Sequence, residues 1–104
     1  MNFEAIKHKD LSVIYITSRD CNVCKSIFPN LEKLISGFPK SEFYRVETDE
    51  FPQVAGEFMI FTVPALLIYS QGKELYRAAR FIKLQEVEEL LENYYDNIFQ
   101  EGEL

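Results

Sequence analysis

Apolar residues along the chain fall into two spacings, short runs typical of strands and three- to four-residue steps typical of helices. Residues 11–17 and residues 42–48 are rich in β-branched and aromatic side chains, which predicts two buried strands. Between them, apolar residues recur at helical steps over about residues 21–38, which predicts a helix with one buried face. Pro29 falls inside this helix and should kink it or offset its first turn, because proline has no N–H to donate.

The second half of the chain predicts a short helix, a hairpin and a long terminal helix. Asp49 is placed as the N-cap of the short helix, with Pro52 in its first turn. Residues 65–69 form an apolar strand, residues 70–73 a turn, and residues 74–79 the returning strand. The terminal helix presents a broad apolar stripe: Leu84, Val87, Leu90, Leu91, Tyr94, Tyr95, Ile98 and Phe99.

With a short N-terminal helix around Phe3 and Ile6, the predicted order of elements is αβαβαββα. This order predicts an α/β fold with a central mixed sheet of about four strands, flanked by helices on both faces. Two strands are parallel and the hairpin adds an antiparallel edge. A length of 104 residues with 47% apolar content predicts one compact domain over residues 1–104.

The charge balance limits the classes of partner. A net charge of −6 and a pI near 4.8 argue against nucleic acid or an anionic membrane recognised through a positive field. The longest apolar run, residues 63–69, is far shorter than the roughly 20 residues that a membrane helix needs. No secretory leader pattern is found at the start, so a cytoplasmic protein is expected.

The negative charge is concentrated at the end of the chain. Residues 1–80 hold ten bases and ten acids, whereas residues 81–104 hold only Lys83 against seven acids. These acids are interpreted either as the solvated face of the terminal helix or as an electrostatic docking surface.

The two cysteines of the chain, Cys21 and Cys24, lie where the first strand meets the long helix. At a helix N-terminus the free amides and the helix dipole stabilise a thiolate, so Cys21 could attack a disulfide and Cys24 could resolve the product. Three alternatives remain: half of a zinc site, which has only His8 as a further ligand; a structural disulfide closing a short loop; and two inert core cysteines.

Several motifs together resemble the thioredoxin superfamily over about residues 11–95. Cys21-Asn22-Val23-Cys24 stands in the position of the family's C-x-x-C motif, and Pro29 is similar to the proline of the active-site helix. Thr62-Val63-Pro64 resembles the family's cis-proline loop. The spacings of further positions are also similar to those of the family: Asp49, Pro52, Ala55, Phe58 and Gly72.

The resemblance implies a thioredoxin-like fold in which Cys21 is exposed and Cys24 is more buried. It also implies that Pro64 is cis and lies against the disulfide, and that the Val63 backbone pairs with an extended substrate segment. A strand-initiating proline is the alternative for Pro64. The family's N-terminal strand is expected to be missing, because few residues precede Leu11.

This sequence departs from the family's usual pattern at several positions. Asp20 replaces the usual Trp, and Tyr15 stands where the family has a buried Asp, which leaves the usual proton acceptor for the resolving thiol without a counterpart. Core packing is the favoured interpretation of Tyr15, and Arg45 corresponds to the Lys that accompanies that Asp. Arg80 falls near a Gly of the family's substrate groove, so a narrower and more cationic groove is predicted.

Two functions from different classes follow. The first is a thiol–disulfide oxidoreductase that reduces protein disulfides and contributes to redox homeostasis, with a flavoprotein thioredoxin reductase as a candidate electron donor and with no bound cofactor or metal. The second is a thioredoxin-fold binding, adaptor or redox-sensor domain with weak catalysis. A dimer bridged by a metal through Cys21 and Cys24 is a remote third.

Overall fold

The predicted helices and strands form in the predicted order. A computed structural model of the chain describes residues 1–99; residues 100–104 of the predicted domain lie outside the described residues. The elements are α1 (Phe3–Lys7), β1 (Ser12–Thr17), α2 (Asn22–Ser36), β2 (Glu42–Glu47), α3 (Val54–Phe58), β3 (Ala65–Ser70), β4 (Lys73–Ala79) and α4 (Leu84–Ile98).

The strands form one mixed sheet in the order β2-β1-β3-β4. β1 runs parallel to β2 and antiparallel to β3, and β3 and β4 form the antiparallel hairpin. Within residues 1–11 no strand precedes β1, and that segment carries α1. The predicted mixed sheet of about four strands, with helices on both sides, is therefore confirmed.

Alternating residues of β1 bury both faces of the sheet, as expected for a strand covered on two sides. Ile14 and Ile16 pack with side chains of α1 and α3, whereas Val13 and Tyr15 pack with side chains of α2 and α4. Every residue of β1 is buried. Cys21 therefore follows, after a short turn, a strand that is buried along its whole length.

The placement of Asp49 as the N-cap of the short helix is wrong. That helix, α3, begins at Val54 with Gln53 at its N-cap, no side chain caps it, and Pro52 precedes it. The Asp49 carboxylate instead accepts a hydrogen bond of 2.6 Å from the backbone N–H of Arg19. The Asp49 carboxylate, which the local sequence pattern assigned to the start of the helix, therefore accepts a hydrogen bond from the loop before Cys21 instead.

The predicted long helix begins one residue later than expected. Cys21 is the N-cap of α2, and the first helical residue is Asn22. The helix continues through Pro29 to Ser36, although Pro29 cannot donate to the carbonyl of Lys25 one turn earlier. None of the helices in the described part of the chain has the length and apolar character needed to cross a bilayer.

Candidate active site

A tight turn after β1 places Cys21 at the start of α2. The N–H of Cys21 donates to the carbonyl of Ser18 at 3.3 Å, which closes the turn. The backbone of Cys21 is extended, with φ −89° and ψ 101°, as is usual for an N-cap residue. Its sulfur caps the helix, because it accepts a hydrogen bond of 3.1 Å from the N–H of Cys24.

Cys21 and Cys24 form a disulfide, with their Cα atoms 5.2 Å apart. The two sulfurs differ in accessibility: Cys24 is only 1% exposed and belongs to the core beneath α2, whereas Cys21 is half-buried. The predicted asymmetry between an accessible first cysteine and a buried second one is present. A reagent approaching from solvent therefore meets Cys21 first.

A pocket of about 310 Å³ opens beside Cys21. The Val63–Pro64 peptide bond is cis, as the resemblance implies, and both residues line this pocket with the cysteine. The remaining lining residues are Asn22, Val23, Arg80 and Phe81. Cys21, Val63 and Pro64 are thus brought together, and Arg80 adds the cationic side chain that was predicted for the groove.

Val63 presents unpaired backbone groups at this pocket. Among residues 1–99, neither the N–H nor the C=O of Val63 has a hydrogen-bond partner. The carbonyl of the next residue, Pro64, accepts a hydrogen bond of 2.6 Å from the N–H of Arg80. This leaves Val63 as the backbone to which an extended segment can add as a further strand.

Exposed apolar side chains surround the site. Val23 is 60% exposed and Phe81 is 78% exposed, and both line the Cys21 pocket. Phe61, 83% exposed, lines a neighbouring pocket that shares Val63 with the first. The sequence analysis missed Phe61 and Phe81. Phe61 directly precedes the Thr62-Val63-Pro64 motif and Phe81 directly follows Arg80, and this adjacency is the signal by which they could have been found.

Neither Tyr15, which is buried on β1, nor Arg45, which is exposed on β2, lines the Cys21 pocket. Arg45 is opposite Tyr15 in the β1–β2 register, and its guanidinium carbon lies 5.0 Å from the centroid of the Phe28 ring. Burial raises the pKa of Tyr15 to about 12, against the opposing effect of Arg45. The hydroxyl therefore stays protonated at neutral pH and donates to the carbonyl of Cys24 at 2.8 Å. The structure places Arg45 against Phe28 and Glu47, not against the cysteines.

The acidic helix α4 borders a separate groove. Glu88 and Glu92 line it together with Lys33 and Phe38, and the groove shares no lining residue with the Cys21 pocket. Within residues 1–99, no group of three or more potential metal ligands is found.

Comparisons with known proteins agree with this geometry. The family model for Thioredoxin matches residues 1–94. Thioredoxin-like protein YdfQ of Bacillus subtilis is 37% identical over 90 residues, which cover 86% of this chain and 80% of that protein. Thioredoxin-1 of Saccharomyces cerevisiae is 34% identical over 71 residues, covering 68% of this chain and 69% of that protein. The crystal structure of oxidised thioredoxin O2 from Arabidopsis thaliana shares the fold, with a TM-score of 0.78, 24% identity, and coverage of 90% and 85% of the two chains.

Proposed function

Because the chain belongs to the thioredoxin family, we propose that its Cys21–Cys24 pair reduces disulfide bonds in other proteins. Membership of the family and a cysteine pair at bonding distance support thiol–disulfide oxidoreductase activity in general. The proposal adds two points to this general activity. The substrates are protein disulfides, and the protein reduces them.

The observation that carries the proposal is the position of Cys21 as the N-cap of a 15-residue helix. The N-terminal amides and the dipole of such a helix favour a negative charge, and they lower the pKa of a thiol placed there. Cys24 lies one turn further on, buried behind Cys21. The accessible sulfur is therefore the one suited to attack, and the buried sulfur is suited to act on it afterwards.

The reaction has two exchange steps. The Cys21 thiolate attacks one sulfur of the substrate disulfide; a mixed disulfide forms and the other substrate sulfur leaves as a thiolate. Cys24, deprotonated, then attacks the sulfur of Cys21, the Cys21–Cys24 bond forms, and the second substrate thiolate leaves. Two electrons pass to the substrate, and its two thiolates take up two protons from solvent. The disulfide in the present structure corresponds to the end of this cycle.

The substrate segment is assigned to the free backbone of Val63. An extended chain paired there would lie across Pro64, which lines the same pocket as Cys21. Exposed Val23 and Phe81 offer apolar contacts beside it. Main-chain pairing fits many sequences, so this mode suits an enzyme that acts on varied protein disulfides.

The cycle needs a reductant that restores the dithiol. We assign this role to a flavoprotein thioredoxin reductase and place the reaction in the cytoplasm. The chain has only the two cysteines of the pair, so it carries no separate structural disulfide of the kind common in oxidising compartments. Oxidation of NADPH by such a reductase, dependent on this protein, is the measurement that tests the donor.

Reduction of insulin disulfides by dithiothreitol, followed as turbidity, tests the activity itself. We expect the wild-type protein to accelerate the reaction, Cys21→Ser to abolish it, and Cys24→Ser to stop turnover while a mixed disulfide with insulin accumulates in the mass spectrum. Lys73→Gln, at the far end of the β3–β4 hairpin, is the surface control and should match the wild type. Activity that persists in Cys21→Ser would overturn the mechanism.

The direction of electron flow is tested by the reduction potential. We expect a value near the reducing end of the range for this chemistry, roughly −270 mV, rather than the roughly −120 mV of a strong oxidant. A wild-type protein that does not accelerate insulin reduction, yet binds partners through other surfaces, would instead support the adaptor or sensor function.

A further inference from the structure

Arg80 occupies an unusual backbone position at the rim of the Cys21 pocket. It follows β4 directly, and its φ of 73° lies in the left-handed region. Residues with a Cβ pay a conformational cost there that glycine avoids, and such positions cluster at functional sites. Its N–H bonds the carbonyl of Pro64 at 2.6 Å, which holds this backbone against the cis-proline loop.

The charge of Arg80 has no acidic partner among the residues that the structure describes. Within residues 1–99 Arg80 forms no ion pair, and its guanidinium carbon lies 5.9 Å from the centroid of the Phe81 ring. Arg77, three residues earlier, differs: its guanidinium is paired with Glu74 at 2.9 Å and with the carbonyl of Phe58. The exposed guanidinium of Arg80 is therefore available to a ligand in the pocket.

The surroundings of this guanidinium define what it can bind. The pocket is otherwise lined by apolar Val23, Val63 and Phe81, with Asn22 as the remaining polar side chain. The charged residues flanking the cysteines are Arg19, Asp20 and Lys25, all exposed. Together with Arg80 they place three positive charges and one negative charge around the cysteine pair and its pocket, and Asp49 adds a second carboxylate beside Arg19. A segment that pairs an apolar side chain with a carboxylate complements such a surface, because arginine binds carboxylates in a planar, two-bond geometry.

We propose that Arg80 selects substrate proteins in which an aspartate or glutamate flanks the disulfide cysteine that Cys21 attacks. The carboxylate binds the Arg80 guanidinium while the segment pairs with the Val63 backbone. This inference rests on the proposed reductase function and names the class of substrate for the same site. The ion pair between Arg80 and the substrate carboxylate would form at the surface, so it should act mainly on KM, by strengthening substrate binding. Its effect should weaken as the ionic strength rises.

Three symmetric peptide disulfides test the proposal. Each is a homodimer joined by one disulfide, and the cysteine is flanked on both sides by Glu, by Gln or by Lys, so that either sulfur presents the same neighbours. Every rate is divided by the rate of reduction by dithiothreitol, because flanking charge alters the intrinsic reactivity of a disulfide. We expect kcat/KM to fall about threefold from Glu to Gln and about threefold again from Gln to Lys at low salt.

Three variants test whether the preference for an acidic flank depends on the guanidinium of Arg80. Arg80→Gln should bring the three normalised rates to within about twofold of one another, and Arg80→Lys should keep most of the preference. Lys73→Gln removes the same charge at the opposite end of β4 and should leave the preference as in the wild type. Equal normalised rates in the wild type, or a full preference in Arg80→Gln, would overturn the role of Arg80 while the reductase function stands. Failure of the wild type to reduce any of the peptides or insulin would overturn both.

Discussion

The hydroxyl of Tyr15 donates a hydrogen bond of 2.8 Å to the carbonyl oxygen of Cys24. Tyr15 is fully buried on β1, an interior strand of the sheet, and its ring lies 6.0 Å from that of Phe28. The bond joins the first turn of α2 to the strand beneath it. Tyr15 thus packs the core, as the sequence favoured, and it also ties the backbone of the buried cysteine to the sheet.

Removal of this hydroxyl should weaken the fold by the net value of one buried hydrogen bond. We expect Tyr15→Phe to lower the free energy of unfolding in urea by about 1 kcal/mol, since the ring is retained and only the donor is lost. Tyr94→Phe is the matched control: Tyr94 is 43% exposed, so loss of its hydroxyl should change stability by less than about 0.5 kcal/mol. Equal stability of Tyr15→Phe and the wild type would show that the bond contributes nothing.

The same residue predicts a loss of stability at alkaline pH. Burial raises the pKa of Tyr15 from 10.0 to about 12 in the folded protein, and the same cause raises that of Tyr44 to about 12. As the pH rises, the tyrosine hydroxyls of the unfolded chain therefore lose their protons before those of the folded protein. The contribution of these two tyrosines to the free energy of unfolding is complete below pH 10 and is lost as the pH rises towards 12. Urea unfolding across this range, with tyrosinate absorbance as the second signal, measures the slope. Tyr15→Phe should have a shallower slope, and an unchanged slope would contradict the assignment to Tyr15.

The helices and strands could be predicted from sequence because their apolar periods are set by burial on the sheet. The stripe from Leu84 to Phe99 predicted α4, which is observed as Leu84–Ile98, since its buried residues Val87 and Leu91 fall on one face. The C-x-x-C spacing, and the resemblance of Thr62-Val63-Pro64 to the family's cis-proline loop, named residues that the structure brings together at one pocket.

Features set by tertiary contact could not be predicted. Asp49 suits an N-cap by its residue type, but the N–H of Arg19, distant in sequence, competes for its carboxylate. Arg80 gives no sign in sequence of its left-handed backbone, which is found in the fold together with the bond from its N–H to the Pro64 carbonyl. The exposure of Phe81 has a similar origin, since it depends on where the chain leaves β4.

The hairpin between β3 and β4 depends on glycine at position 72. Gly72 has φ 86°, a conformation that costs an alanine roughly 1 to 2 kcal/mol. A Cβ there would also lie 2.7 Å from Nε2 of His8, because the N–H of Gly72 is bonded to the carbonyl of Lys7 and the two segments are close. We expect Gly72→Ala to lower the free energy of unfolding by more than the backbone cost alone.

A double-mutant cycle separates the two causes. The His8→Ala variant removes the ring that the new methyl group would meet, so in that background Gly72→Ala should cost only the backbone part, about 1 to 2 kcal/mol. The difference between the two backgrounds, measured by urea unfolding, is the steric cost. If the cost is the same in both backgrounds, the His8 ring moves aside freely and the steric part of the argument is wrong.

Asp49 should stabilise the loop that precedes Cys21 through its hydrogen bond with the N–H of Arg19. Its carboxylate accepts the 2.6 Å hydrogen bond from the N–H of Arg19, two residues before the cysteine, and Asp49→Ala leaves that N–H unpaired. We expect its hydrogen exchange to accelerate about fivefold, equivalent to a bond of about 1 kcal/mol, and insulin reduction to slow by no more than that factor. Asp49→Asn keeps a neutral acceptor and should retain part of the protection. Exchange at Arg19 that is as slow in Asp49→Ala as in the wild type would show that the turn after β1 holds its shape without Asp49.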